Sequence, residues 1–280
     1  MNRIIGIVLL IVIGYWLDRE VYFYEGARLG PRVQAWLYNR WAKKYDAGKT
    51  ESQSRDNEML AQPLLDATKD VQTPFVLDFA TGTGRLSYAL TRHPEFKGHI
   101  VALDLSHGML ELAVEKVNGR GDPAPTITNV EFLRHLALPL PFPDASFDVV
   151  CALEVLELFQ NMDEPLAEFS RVLRPGGVFL STRGTEESGR KAKVKNVADY
   201  ISLLEKNGFE NVQVTKWWKL FDRTFAVKSG TSSPVNARQL KDVLKCSSCK
   251  QIQWERASNS LKCGNCNREL SVTDDGIVLN

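Results

Sequence analysis

Two groups of residues have types and spacings that could do chemistry. The first is Cys246-x-x-Cys249, thirteen further residues, then Cys263-x-x-Cys266. Two thiolates three positions apart aim at one point, and two such pairs complete a tetrahedral site for a soft divalent ion. Four ligands of one kind leave no open position, so the metal, zinc first and iron second, would be structural. The second group is the stretch Phe75 to Ser87, FVLDFATGTGRLS. A short apolar run leads to Asp78, then to a small-residue turn of Ala80, Thr81, Gly82, Thr83 and Gly84, and then to a helical segment. Glycines let a backbone approach a ligand closely, and a helix start offers unpaired N–H groups. A second apolar run, His99 to Leu103, ends in Asp104, about 20 residues beyond the turn, where the ribose-binding acid of such units sits. Ser87 stands where a dinucleotide fingerprint needs its third glycine. Asp78, four residues before Gly82, lies outside that fingerprint and suits a ligand that carries a cation.

The elements that must position these residues follow from periodicity. Strands are expected at Phe75–Leu77, His99–Leu103, Val130–Leu133, Phe147–Leu153 and Val178–Ser181, and a closing hairpin at Asn211–Trp218 and Leu220–Val227. Helical spacing is expected over Arg32–Tyr45, Glu58–Thr68, the segment after the N-cap Ser106, Asp163–Leu173 and Asn196–Asn207. Gly48–Asn57 and the Gly/Pro-rich Asn118–Thr126 read as loops, as does the charged Thr182–Lys195 where a substrate would enter. Strands that return through helices give an α/β, doubly wound, mostly parallel seven-stranded sheet with one reversed edge strand.

The Phe75–Ser87 stretch resembles motif I of class I S-adenosylmethionine-dependent methyltransferases, a Rossmann-like fold. Their cofactor carries a sulfonium and an ammonium and no phosphate. The segment LPLPFPDASFDVVCALEVLE, Leu138 to Glu157, resembles a later segment of the same family, as does RVLRPGG, Arg171 to Gly177, which is structural there. The resemblance covers about Tyr38 to Lys228 and implies cofactor contacts at Asp78, Ala80, Thr81, Gly82, Gly84 and Asp104, with Leu105 and Met109 beside the adenine ring. Ala80 replaces the family's usual glycine, and Leu136 its usual aspartate. The adenine would then be held by His135, by backbone carbonyls or by packing. YNRWAKKYD, Tyr38 to Asp46, resembles the family's aromatic segment that covers the cofactor. Glu154, just past a strand end, faces the reacting methyl or the acceptor if it follows the rule for doubly wound sheets. Should a general base be needed, His135, Glu154 and Glu157 are the candidates. Cys151, among Val, Ala and Leu, reads as a core thiol.

The chain of 280 residues has 44% apolar and 25% charged residues and a net charge of +1, so no global electrostatic drive toward nucleic acid exists. Four of its five cysteines fall in the last 35 residues, which indicates a metal module in a reducing compartment. That module, residues 240–280, resembles the zinc-ribbon activator subunits of methyltransferases, down to the closing DGIVLN, and would buttress the catalytic domain. At the other end, IIGIVLLIVIGYWL, Ile4 to Leu17, carries no charge. Its helix would span about 21 Å against roughly 30 Å of hydrocarbon, short for a full crossing. Bulky Tyr15, Trp16 and Leu17 replace the small residues of a cleavage site, so the run reads as an uncleaved membrane anchor or transmembrane helix. Arginines and lysines downstream put the catalytic domain on the cytoplasmic side. The division expected is 1–30 anchor, 31–228 methyltransferase (31–73 N-terminal helices, 74–228 cofactor core), 229–239 linker and 240–280 ribbon. The expected function is methyl transfer to a small-molecule or lipid-like acceptor at the membrane. The alternatives are RNA or protein methylation using the ribbon, with nucleic acid less favoured, and a non-catalytic cofactor-binding scaffold.

Overall fold

The segment FVLDF forms strand β1 (Phe75–Phe79) and is buried along its whole length, as a central parallel strand must be. Alternate residues face opposite sides: Phe75, Leu77 and Phe79 enter one apolar core, and Val76 enters the other. In this computed structural model, which describes residues 2–119, 129–136, 138–188, 194 and 196–280, β1 pairs in parallel with β2 (His99–Asp104) and with β4 (Phe147–Ala152). Strand β3 (Val130–Arg134) extends the sheet beyond β2, and β5 (Leu173–Gly184) extends it beyond β4. Then β6 (Phe209–Trp218) and β7 (Phe221–Lys228) close it. The expected strands are all present. The reversed strand, however, is not at the edge: β7 lies antiparallel between β5 and β6. The expected loop Asn118–Thr126 lies mostly outside the described residues.

Helices cover both faces. In chain order they are α1 (Asn2–Leu17), α2 (Pro31–Tyr45), α3 (Thr50–Gln53), α4 (Gln62–Ala67), α5 (Arg85–Thr91), α6 (His107–Asn118), α7 (Asp163–Val172) and α8 (Val197–Lys206). Leu64, Leu86, Leu90, Leu110 and Val114 from α4, α5 and α6 build one core. Leu166, Phe169, Tyr200 and Leu204 from α7 and α8 build the other. The polar stretch Gly48–Asn57, expected as a loop, contains the short α3, so the chain coils there before returning to β1.

The sheet does not stop at seven strands. The C-terminal module adds β8 (Trp254–Arg256), β9 (Ser260–Cys263), β10 (Glu269–Val272) and β11 (Val278–Leu279), giving one sheet of eleven strands. Val278 and Leu279 lie parallel to Leu133 and Arg134, which caps the open edge of β3. Leu240, Leu244, Cys246 and Trp254 join the same core as Phe75 and Phe147. The 229–239 segment, expected as a linker, is likewise fastened. The fully buried Asp148 accepts hydrogen bonds from Val235 N (2.8 Å), Asn236 N (3.0 Å) and Phe75 N (3.1 Å), and pairs with Arg174 Nε at 2.6 Å.

The expectation of a transmembrane helix is not met. No helix among the described residues is long and apolar enough to cross a membrane. The α1 helix has 16 residues, about 24 Å of rise. Its side chains from Ile4 to Leu17 are nevertheless exposed on every face, Leu10 to 70%. The chain after α1 packs back onto the body, with Tyr22 stacked on Trp41 of α2 at 6.4 Å.

Candidate functional site

A cavity of about 560 Å³, within the usual range for small-molecule sites, opens at the carboxyl ends of β1, β2 and β4. The turn after β1 forms its floor. Ala80, Gly82 and Gly84 take left-handed backbone angles there, with φ of +52°, +57° and +76°. Ala80 is thus a non-glycine residue in the left-handed region that L side chains rarely adopt. Ala80 and Gly82 line the cavity. Gly84 does not, and its constraint is different: a Cβ there would meet Ala113 Cβ at 3.0 Å, so the glycine permits close packing of α5 on α6.

Asp104 lines the cavity from the end of β2. Its carboxylate accepts hydrogen bonds from Gly82 N and Ser106 N, both at 2.8 Å, and so joins the turn to the next strand. Burial pushes its pKa up to about 6, against the opposing pull of those N–H groups. Each oxygen retains a lone pair, so a vicinal diol can donate to the pair of them. Asp78 sits elsewhere. It is buried, does not line the cavity, and accepts from Thr81 Oγ1 at 2.6 Å and Ser87 Oγ at 2.7 Å. Asp78 and Thr81 therefore brace the turn from behind. Ser87, the residue that breaks the dinucleotide fingerprint, supplies the second brace. Leu105 lines the cavity, whereas Met109 is fully buried in α6, where its N–H meets the N-cap oxygen of Ser106.

The wall next to Asp104 is apolar, with Leu105, Leu136 and Leu138. His135 is in the same wall. Its Nδ1 lies 3.2 Å from the Asn280 amide and its Nε2 3.3 Å from Pro139 O, so both ring nitrogens are engaged. The opposite wall is formed by Leu153, Glu154, Val155, Leu158 and Phe159. Glu154 occupies a left-handed backbone position, φ +52°, and its N–H donates to Thr182 Oγ1 at 2.7 Å. Its carboxylate is held between Lys49 Nζ at 2.9 Å and Arg85 Nη1 at 3.2 Å, and Arg85 also forks onto Asp56 at 2.6 and 2.7 Å. Burial opposes charge on Lys49, but the Glu154 carboxylate and the Tyr45 phenol outweigh it and hold the ammonium well above its usual pKa. Glu157 is buried but is absent from the cavity lining.

Helix α2 forms the roof through Pro31, Gln34, Tyr38 and Tyr45. Two polar straps hold it down. Asn39 Oδ1 accepts from Ser106 Oγ at 2.7 Å and Gly108 N at 2.8 Å. Asp46 accepts from Thr83 Oγ1 at 2.7 Å and from Lys116 Nζ at 2.6 Å. Tyr38 donates to Glu25, and burial raises its pKa well above normal, so it is a neutral phenol. Lys49, Arg85, Asp56 and Asn39 were not among the residues singled out in the sequence. Lys49 meets Glu154 across 105 positions, and no local pattern marks such a pair.

The four module cysteines also converge. The Cys246–Cys266 and Cys249–Cys263 sulfur pairs are each 3.6 Å apart, and all four sulfurs lie within 4.8 Å of one another. Bonds of ~2.3 Å at tetrahedral angles would set sulfurs about 3.8 Å apart, so the donor set fits a zinc-sized ion.

Residues 77–181 match the protein family described as "Methyltransferase domain". The chain is 36% identical over 105 residues to a ubiquinone/menaquinone biosynthesis C-methyltransferase of Francisella tularensis, covering 38% of this chain and 40% of that protein. It is 39% identical over 107 residues to the protein of the same name in Hahella chejuensis, covering 38% and 41%. The chain thus spans about two fifths of the length of the curated relatives it matches. In solved structures the fold is similar to a SAM-dependent methyltransferase of Aquifex aeolicus, with 23% identity, a TM-score of 0.53, and coverage of 68% of this chain and 98% of that one. It is also similar to the [4+2]-cyclase SpnF, with 18% identity, a TM-score of 0.51, and coverage of 61% and 80%. These two likenesses establish the α/β Rossmann-like fold, and the second warns that this fold alone does not fix a reaction. The family match, to a methyltransferase domain, spans the segment that builds the cavity floor.

Proposed function

We propose that this chain, built on an S-adenosylmethionine-dependent methyltransferase domain, transfers a methyl group to a small, largely apolar acceptor such as a lipid-soluble ring compound, at a membrane to which α1 attaches it. The observation that carries this reading is the division of one cavity into two ends. The end at Gly82, Asp104, Leu105 and Leu136 fits a nucleoside: a carboxylate for the ribose hydroxyls and an apolar wall for the base. The end at Leu153, Val155, Leu158 and Phe159, under Tyr38 and Tyr45, fits an apolar acceptor. S-adenosylmethionine, when bound, supplies a methyl on a sulfonium, already a good leaving group. The protein's part is alignment and exclusion of water, which the strapped α2 roof provides. Both carboxylate oxygens of Glu154 already accept from cations, one from Lys49 Nζ and the other from Arg85 Nη1. Glu154 suits orienting an acceptor O–H or N–H better than removing its proton. Its left-handed backbone is the kind of strain that clusters at functional sites. Cys246, Cys249, Cys263 and Cys266 would hold a structural zinc. No residue of the module beyond position 239 lines the cavity among the described residues, which favours a supporting role over acceptor recognition.

The Asp104 carboxylate gives the proposal a pH signature. Ribose hydroxyls donate to the ionised form, so cofactor binding draws the carboxyl's pKa downward and is strongest above the free-state value. Affinity should be flat above about pH 7 and should fall roughly tenfold per pH unit once the pH drops below about 6. Calorimetric titration between pH 5 and 8 measures this, and a pH-independent affinity would remove Asp104 from the ribose site.

The acceptor class is tested by offering purified full-length protein and methyl-labelled cofactor a whole-cell lipid extract, total RNA and soluble protein in parallel. Label in the organic phase is expected. Label confined to RNA or protein would overturn the acceptor assignment.

A further inference from the structure

Helix α2 has two unlike faces. Pro31, Gln34, Tyr38 and Tyr45 point into the cavity and Ala35, Leu37 and Ala42 into the core. About 180° round the helix, at its roughly 100° per residue, lies an exposed face of Arg32, Trp36, Arg40, Lys43 and Lys44. The helix contains no acidic residue. None of the four cations on that face forms an ion pair among the described residues, and Trp36 is 59% exposed. Elsewhere in this chain exposed cations do find acids, as Lys206 does with Asp163 at 2.9 Å. An unneutralised row of four, on a chain whose net charge is only +1, is a local concentration of charge rather than a reflection of composition.

The face is also continuous with apolar surface. Tyr22, 62% exposed, stacks on Trp41 of α2, and α1, with every side chain from Ile4 to Leu17 exposed, precedes it across the short charged segment 18–21. Apolar helix, interfacial aromatic rings and unpaired arginines and lysines thus follow one another along one stretch of chain. That is the sequence of chemistries met on passing from the interior of a bilayer to its anionic headgroups.

We propose that the outer face of α2 is a docking surface for an anionic phospholipid surface, with Arg32, Arg40, Lys43 and Lys44 on the headgroups and Trp36 between them. This rests on the reading that α1 attaches the chain to a membrane, and it adds a preference for lipid charge. It has a consequence for the site, because the docked helix is the cavity's roof: lipid charge would bear on the element that carries Tyr38 and Tyr45. An RNA backbone offers similar charge, but it has no use for the contiguous apolar helix, so the lipid surface accounts for more of what is seen.

The test is a lysine-acylation footprint read by mass spectrometry on the full-length protein. Vesicles of phosphatidylcholine alone, vesicles of phosphatidylcholine with phosphatidylglycerol, and total RNA are compared, with the exposed Lys262 of β9 as internal reference. Flotation of the protein with each vesicle is measured alongside. Lys43 and Lys44 should label about fivefold more slowly on the anionic vesicles than on the neutral ones, with Lys262 unchanged, and high salt should erase the difference. In the variant R32Q/R40Q, which keeps both reporter lysines, the protection should fall toward the neutral-vesicle level. Flotation with both vesicles but equal labelling on both would overturn the proposal while leaving α1 as the attachment. Protection by RNA and not by vesicles would assign the face to nucleic acid and also overturn it. Failure to float with either vesicle would overturn this proposal and the membrane reading together.

Discussion

Asp148→Ala is expected to destabilise the protein by about 3–5 kcal/mol, the usual cost of removing one partner from a buried ion pair. The carboxylate is completely buried and has four partners. Without it the Arg174 guanidinium stays in the interior with only the carbonyls of Pro175 and Ser232 as acceptors. Three backbone N–H groups lose their acceptor, that of Phe75 in the interior and those of Val235 and Asn236 in half-buried contacts. These groups come from the start of β1, the strand β5 and the segment leading to the C-terminal module, so the loss falls on the junction of all three. Thermal unfolding should show a melting temperature lower by roughly 10 °C. A change under 1 kcal/mol would mean that the module is not tied to the sheet through this residue.

Metal removal should have the second large effect. The module has a few dozen residues and a small core of its own, and four thiolates around a metal supply most of what holds such a unit together. Stripping the ion with a chelator, or Cys263→Ser, should unravel β8 to β11. That would expose the edge of β3 and free the loop at His135, which Asn280 now holds at 3.2 Å. Proteolysis beyond residue 239, dye binding to newly exposed apolar surface and weaker cofactor binding should appear together. Metal analysis showing no bound zinc or iron, with the four cysteines reduced and the fold unchanged after chelation, would contradict the assignment.

The contrast between these two features shows what the sequence could convey. The cysteine spacing is a local pattern with one good chemical reading, and the structure brings all four sulfurs together. The place of Asp104, at a strand end beside the cavity, was equally legible, because a strand, a glycine turn and an acid at a fixed distance are set by the βαβ unit itself. The docking of the module as a continuation of the main sheet was not legible. It depends on a two-residue strand, Val278–Leu279, pairing with β3 from some 145 positions away. Asp148 looked like one more acid in an apolar strand, and its partners Val235 and Asn236 sat in a stretch whose composition reads as a linker. Asp78 illustrates a subtler limit. Its spacing from the turn was right, but only side-chain direction distinguishes an acid that faces a ligand from one that braces the loop. The pair Lys49–Glu154 and the straps at Asn39 and Asp46 are long-range contacts of ordinary polar residues, which leave no periodic trace. The apolar character of α1 was plain from composition, yet the helix ends at 16 residues, too few for a crossing.

The central claim is that the cavity above Gly82 and Asp104 holds the methyl donor. Titration calorimetry of S-adenosylmethionine against the wild-type protein and Asp104→Ala tests it most directly, with circular dichroism and melting temperature to verify that the variant is folded. Two hydrogen bonds to a charged acceptor contribute roughly 1.5–3 kcal/mol each, so the folded variant should bind at least about 100-fold more weakly. Equal affinity in wild type and folded variant would place the donor elsewhere and contradict the account of the site.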